Sequence, residues 1–194
     1  RTEKVNITLF ELETIMALLY FYRKNVDFVV LETGLGGLYD CTNIITKPIV
    51  SVITSIGYDH MHILGNTLPE IAYQKAGIIK ENSNTVIFEE TSEIDEVFIN
   101  QCKIKNNNLD IIRKSDISNY SFDNKFQYFD YKDMKGLSIN LKGKMQIQND
   151  SLCIEVMNIL NENGYKVDIE NIKNGLRTVI HKGRMEELNS NPII

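Results

Sequence analysis

The sequence has no tryptophan and only three prolines, three cysteines and three histidines in 194 residues. Cys41, Cys102 and Cys153 are widely spaced and odd in number, so they make neither a disulfide framework nor a zinc cluster. Reduced thiols in a cytoplasmic protein are the expectation. Basic residues form no long run and the net charge is −5, which gives no nucleic-acid footprint. The longest apolar runs, such as Ile49 to Ile56, are interrupted and too short to span a membrane. The opening residues carry no signal-peptide pattern. No internal repeat or low-complexity linker interrupts the chain. What remains is 43% hydrophobic and 24% charged, the balance of a globular protein with a core. The length fits one ordinary domain, or one plus a fragment. A start at Arg1 and a close on the apolar pair Ile193-Ile194 lead us to expect a piece of a longer protein.

Apolar side chains at Leu9, Leu12, Ile15, Met16, Leu19 and Tyr22 predict a helix over 9–23. Asp27 to Leu31 reads as a strand buried on both faces, followed by a loop holding Gly34, Gly36 and Gly37. Ile49 to Thr54 is a second buried strand and ends in Gly57-Tyr58-Asp59-His60. Thr67-Leu68-Pro69-Glu70 is a capping box that opens a helix to about Ala76, closed by Gly77. Strands are expected at 85–88 and 109–113, with a helix over 93–103 between them. From Asn119 to Leu141, alternating Tyr, Phe, Lys and Asp suit an exposed antiparallel hairpin or meander. Helices over 146–160 and 169–176 complete the reading, ahead of a turn at Lys182-Gly183-Arg184. The alternation of strand, loop and helix predicts an α/β domain with a mainly parallel sheet. Its functional crevice is expected at the carboxyl ends of the strands.

That rule draws attention to Glu32 and His60, which each follow a predicted buried strand. Alone, neither is specific: a strand-terminal Glu is more often a satisfied surface group, and a His beside Asp is more often structural. Together, an oxygen and a nitrogen donor at adjacent strand tips suggest a divalent metal. Lys75, in the helix after His60, reads either as a solvent-facing lysine or as one turned into the crevice.

The segments LETGLGGLYDCTN (31–43) and ITSIGYDHMHILGNTLPEIAYQKAGIIK (53–80) resemble the central domain of folylpolyglutamate synthase and dihydrofolate synthase, within the Mur ligase superfamily. The likeness continues at Gly143…Gln146…Asn149 and Gly183-Arg184-Met185-Glu186, and is weakest between about 89 and 142. The resemblance implies a P-loop NTPase-like central ATP-binding domain with a small antiparallel insertion around 119–141. Residues 1–194 would then be one partial domain, lacking the N-terminal strand, the phosphate loop and a C-terminal Rossmann-like domain.

The implied activity is an ATP- and magnesium-dependent amide ligase that phosphorylates a folate or dihydropteroate carboxylate and lets L-glutamate attack the acyl phosphate. By the same resemblance Glu32 and His60 are magnesium ligands, with His60 and a carbamylated Lys75 in the catalytic set. Asn149 and Arg184 match ATP contacts, and Asp40, Thr42 and Asn43 lie in the loop on the folate side. Small-molecule substrates, no nucleic acid or membrane partner, and a monomeric complete protein follow, and the 194 residues alone are expected to be inactive.

The sequence departs from the family at Leu38, where Arg is usual, at Cys41 for Ala, at Met145 for His and at Lys182 for Pro. Two alternatives stay open: a Mur-type ligase acting on another carboxylate, and a non-catalytic module that kept the fold.

Overall fold

The computed structural model describes residues 6–185. Helix α1 (Leu9–Lys24) opens on a capping box that the sequence reading did not single out. Thr8 Oγ1 accepts from the Glu11 N–H at 3.2 Å, and the Glu11 carboxylate accepts from the Thr8 N–H at 2.7 Å. The helix ends at Asn25, in the left-handed region at φ 48°. Its helical spacing is as expected, yet Leu9, Met16, Leu19 and Tyr22 are exposed and only Thr14 is buried. Thr14 meets the 3-10 turn Cys41–Ile44 through a 3.1 Å contact between its Oγ1 and Cys41 Sγ.

The strand expected over Asp27–Leu31 does not form. The segment pairs with no strand among the described residues, and Val30 is 99% exposed. Its β-branched and aromatic composition suits a pleated, buried surface. Composition cannot supply the neighbouring backbone that a ladder requires.

The parallel sheet is β1 (Val50–Ile53), β2 (Asn84–Phe88) and β3 (Asn108–Ile112), in that spatial order. Register runs Val52 to Val86 and Val86 to Asp110. Side-chain alternation along β2 separates two cores. Ile87 joins Ile71, Ala72, Ala76, Ile94 and Phe98 from α3 (Leu68–Ala76) and α4 (Ser92–Ile104). Val86 and Phe88 join residues of α5 (Lys144–Glu162) and α6 (Ile169–Thr178). A strand buried on both faces reads as a continuous apolar run, as Val86-Ile87-Phe88 does. The short α2 (Met61–Leu64) connects β1 to α3.

A second, antiparallel sheet contains β4 (Ile117–Phe122), β5 (Gln127–Tyr131) and β6 (Met134–Ile139), with β5 in the middle. The expectation of an exposed meander holds for β4 and fails for β5. Phe129 and Tyr131 are buried in the α5–α6 core with Leu137 and Ile139 of β6. The polar residues of β5 are tolerated there because each finds partners. Asp130 accepts from the Gly136 N–H at 2.8 Å and the Asn119 amide at 2.7 Å. The Tyr131 hydroxyl and Lys132 ammonium both donate to Glu155 on α5. Burial works against the charge of Glu155, but bonds from Lys132, Tyr131 and Asn158 hold its pKa below the usual carboxylate range.

Candidate functional site

The glycine loop after Glu32 is fixed by contact with helix α3. The Leu38 N–H donates to the Gln74 carbonyl at 2.8 Å. A Cβ on Gly37 would sit 2.9 Å from that carbonyl oxygen and 3.0 Å from the Lys75 carbonyl. Across the same contact, a Cβ on Gly77 would fall 2.3 Å from Leu38 Cα. Gly77 follows α3 as expected, but with φ −58° rather than a left-handed cap. Glycine is required there for close backbone approach, not for conformational freedom.

Three of the candidate residues hold this loop together. Asp40 accepts from the Leu35 N–H at 2.8 Å, the Thr42 N–H at 2.9 Å and the Thr42 hydroxyl at 2.5 Å. Burial pushes its pKa up, but the bonds from Thr42, Leu35 and Gly34 outweigh it and leave the carboxyl below its usual value. Thr42 is buried. The Asn43 amide donates to the carbonyls of Leu38 (3.1 Å) and Gly77 (3.2 Å). Thr42 and Asn43 therefore act on the loop itself, and Asp40 is its anchor. Phe10, not singled out from the sequence, lies against Gly34: a Cβ there would be 2.3 Å from the Phe10 ring.

A cavity of about 140 Å³ lies between the loop and α3, lined by Thr33–Gly36, Asp59, His60, Leu64, Ile71 and Lys75. Lys75 borders the cavity with Ile71, one helical turn earlier, and is half-buried. No hydrogen bond or ion pair engages its ammonium among the described residues. His60 is the residue before α2 and takes a left-handed conformation at φ 47°. Its N–H donates to Asp59 Oδ1 at 2.8 Å, and its Nε2 stands 3.7 Å from the same oxygen. Glu32 is exposed, immediately before the cavity-lining Thr33. Asp59 is the lining residue that the sequence reading passed over. The Asp-His pair in the connection between β1 and α2 was the available signal.

No three His, Cys, Asp or Glu side chains converge as a preformed metal cluster among the described residues. Asp59 supplies oxygens and His60 a nitrogen at the rim of the cavity, and Glu32 lies outside its lining, one residue before Thr33. Magnesium keeps several waters and takes phosphate oxygens besides one or two protein carboxylates, so this donor set fits it.

Asn149 and Arg184 do not line that cavity. Asn149, exposed on α5, donates to the Gln146 side-chain oxygen at 3.2 Å. Arg184 is exposed in the turn before Met185, whose Sδ would lie 3.4 Å from a Cβ on Gly143, the residue capping α5. Next to Asn149, Asp150 is buried, its Oδ2 without a partner among the described residues, and burial pushes its pKa to about 7. A carboxylate in the helix face shared with Gln146 and Ile154 was legible as a pattern, but its isolation was not.

Comparison with known proteins decides the family. The model of the Mur ligase middle domain matches residues 3–157. The chain belongs to this family. It is 36% identical over 202 residues to a dihydrofolate synthase/folylpolyglutamate synthase of Bacillus subtilis, covering 99% of this chain and 46% of that protein. A solved FPGS–AMPPCP–folate complex superposes with a TM-score of 0.89 at 29% identity, covering 98% of this chain and 48% of that one. A folylpolyglutamate synthase of Mycobacterium tuberculosis, solved with ADP and AMPPCP, gives 0.84 at 27% identity, over 96% of this chain and 44% of that one. The chain spans about half the length of the relatives it matches. Among the described residues, no helix is long and apolar enough to cross a membrane.

Proposed function

We propose that this Mur ligase middle domain serves an ATP-dependent ligase that joins L-glutamate to folate or dihydropteroate. The observation that carries the reading is the cavity where Lys75, His60 and Asp59 meet the glycine loop. Relatives that share this frame over nearly the whole chain are a dihydrofolate synthase/folylpolyglutamate synthase and an FPGS solved with folate and an ATP analogue. Glu32 and His60, with Asp59 beside them, would hold magnesium, which when bound neutralises phosphate charge and orders the phosphate oxygens. Lys75, carbamylated, presents an anion to that rim in place of a cation. A half-buried amine without a partner among the described residues is suited to the modification. The Asn149 amide and Arg184 guanidinium bind the nucleotide, the guanidinium by charge-assisted bonds to phosphate. Asp40, through Leu35 and Thr42, holds the loop against which the pteridine acid is oriented. The partners are small molecules, and the complete protein is a cytoplasmic monomer that uses neither nucleic acid nor a membrane.

The test is ADP release by the complete protein containing this chain, with ATP and magnesium. The reading predicts release that requires both glutamate and folate or dihydropteroate. Release with a peptidoglycan precursor and none with either pteridine acid would overturn it in favour of another carboxylate. No release with any acid would leave a non-catalytic module.

A further inference from the structure

The antiparallel sheet has no part in the cavity, but one of its side chains reaches the start of α5. Gln127 opens β5 and is buried, with 6% of its surface exposed. Its Nε2 donates to two carbonyls of the connection into α5, Leu141 at 2.6 Å and Gly143 at 3.2 Å. Its Oε1 accepts from the Tyr120 hydroxyl on β4 at 3.1 Å. The Tyr120 ring in turn lies 5.3 Å from the Lys144 ammonium, in the first turn of α5. Gly143 caps α5 at φ 101° with no side-chain hydrogen bond of its own. Its carbonyl also receives the Gln146 N–H at 3.0 Å, and Gln146 carries the hydrogen bond to Asn149. One amide thus ties the β4–β6 sheet to the backbone from which Gln146 and Asn149 project. A helix start without a side-chain cap is otherwise free to fray or shift.

We propose that Gln127 is a positioning residue for the nucleotide: its amide, braced by Tyr120, clamps Leu141 and Gly143 and so sets where the start of α5 presents Asn149. The proposal rests on the reading of Asn149 as an ATP contact. It gives the antiparallel sheet a role in nucleotide affinity and none in pteridine or glutamate binding. Replacing Gln127 with methionine keeps the volume and removes both N–H donors, so the Leu141 carbonyl loses this partner and the Gly143 carbonyl keeps only the Gln146 N–H.

The test is AMPPCP affinity and the separate Michaelis constants for ATP, folate and glutamate, measured on the complete protein and its Gln127→Met variant. We expect AMPPCP affinity to weaken and the ATP constant to rise about tenfold, as for a lost buried donor. The folate and glutamate constants stay at wild-type values. Tyr120→Phe, which keeps the ring over Lys144 and removes only the brace, shifts the same two quantities by about threefold, a smaller loss of the same kind. Should Gln127→Met fail to fold, Tyr120→Phe decides alone. Unchanged nucleotide affinity in the folded variants overturns the clamp, as does a parallel loss in all three constants with a falling melting temperature. Wild-type protein that binds no adenine nucleotide overturns the functional reading itself, a result distinguishable from failure of the clamp.

Discussion

The run Val26–Leu31 and the glycine loop that follows it share one stretch of chain and behave in opposite ways. The first is richly apolar, yet it forms no ladder and exposes Val30 almost completely. The second is glycine-rich, yet its Leu38 N–H, the Asp40 carboxylate and the Asn43 amide are all bonded within the loop or to α3 and Gly77. Order here follows hydrogen-bond partners and close approach, not hydrophobicity. Asp150 extends the contrast: it is more buried than the loop anchor Asp40 but leaves an oxygen unbonded among the described residues.

The largest break in this comparison should come from Gly77→Ala. The new Cβ meets Leu38 backbone, which has no side-chain freedom with which to yield. We expect a loss of roughly 3 kcal/mol in chemical denaturation, at the upper end for overpacking. Asp40→Ala should follow at roughly 2 kcal/mol, since it strips an acceptor from two N–H groups and a hydroxyl. The Asp40 pKa is lowered on folding, so its contribution is present above the unfolded value and lost as pH falls through the folded one. Wild type should lose stability relative to Asp40→Ala below about pH 4, the ordinary carboxylate range.

Asp150 has the opposite sign. Its folded pKa is raised to about 7, so stability is full below the unfolded value and declines as pH rises towards 7. Asp150→Asn should flatten that decline and raise stability at pH 8 by roughly 1 kcal/mol. A variant with the wild-type pH slope would place the proton elsewhere. The smallest effect belongs to Val30→Thr in the 194-residue chain, which should change stability by less than about 0.5 kcal/mol because the side chain is solvent-exposed. A larger loss would show that the apolar run is packed after all.

The sequence signals that worked were those whose cause is local. The Thr67–Glu70 box, the apolar run at Val86–Phe88 and the helical spacing along α5 each specify an element with little help from elsewhere. The strand expected at Asp27–Leu31 failed because its ladder depends on a neighbour that no local pattern encodes. β5 was misjudged as exposed because Asp130 and Gln127 look like surface residues until their partners Asn119, Gly136 and Gly143 are in view. At the site, the family motif placed His60, Lys75 and Asp40 in one stretch of chain. Only the fold distinguishes Lys75 lining the cavity from Asn43 engaged with backbone.

The most direct test of the account is the turnover of Lys75→Ala in the complete protein, with and without a short carboxylate such as acetate. If the cavity is the catalytic centre and Lys75 supplies an anion there, glutamate-dependent ADP release should fall about a hundredfold, in the range for losing a group that organises a metal. Acetate should restore part of it while the melting temperature stays at the wild-type value. An undiminished rate in the alanine variant would contradict the account.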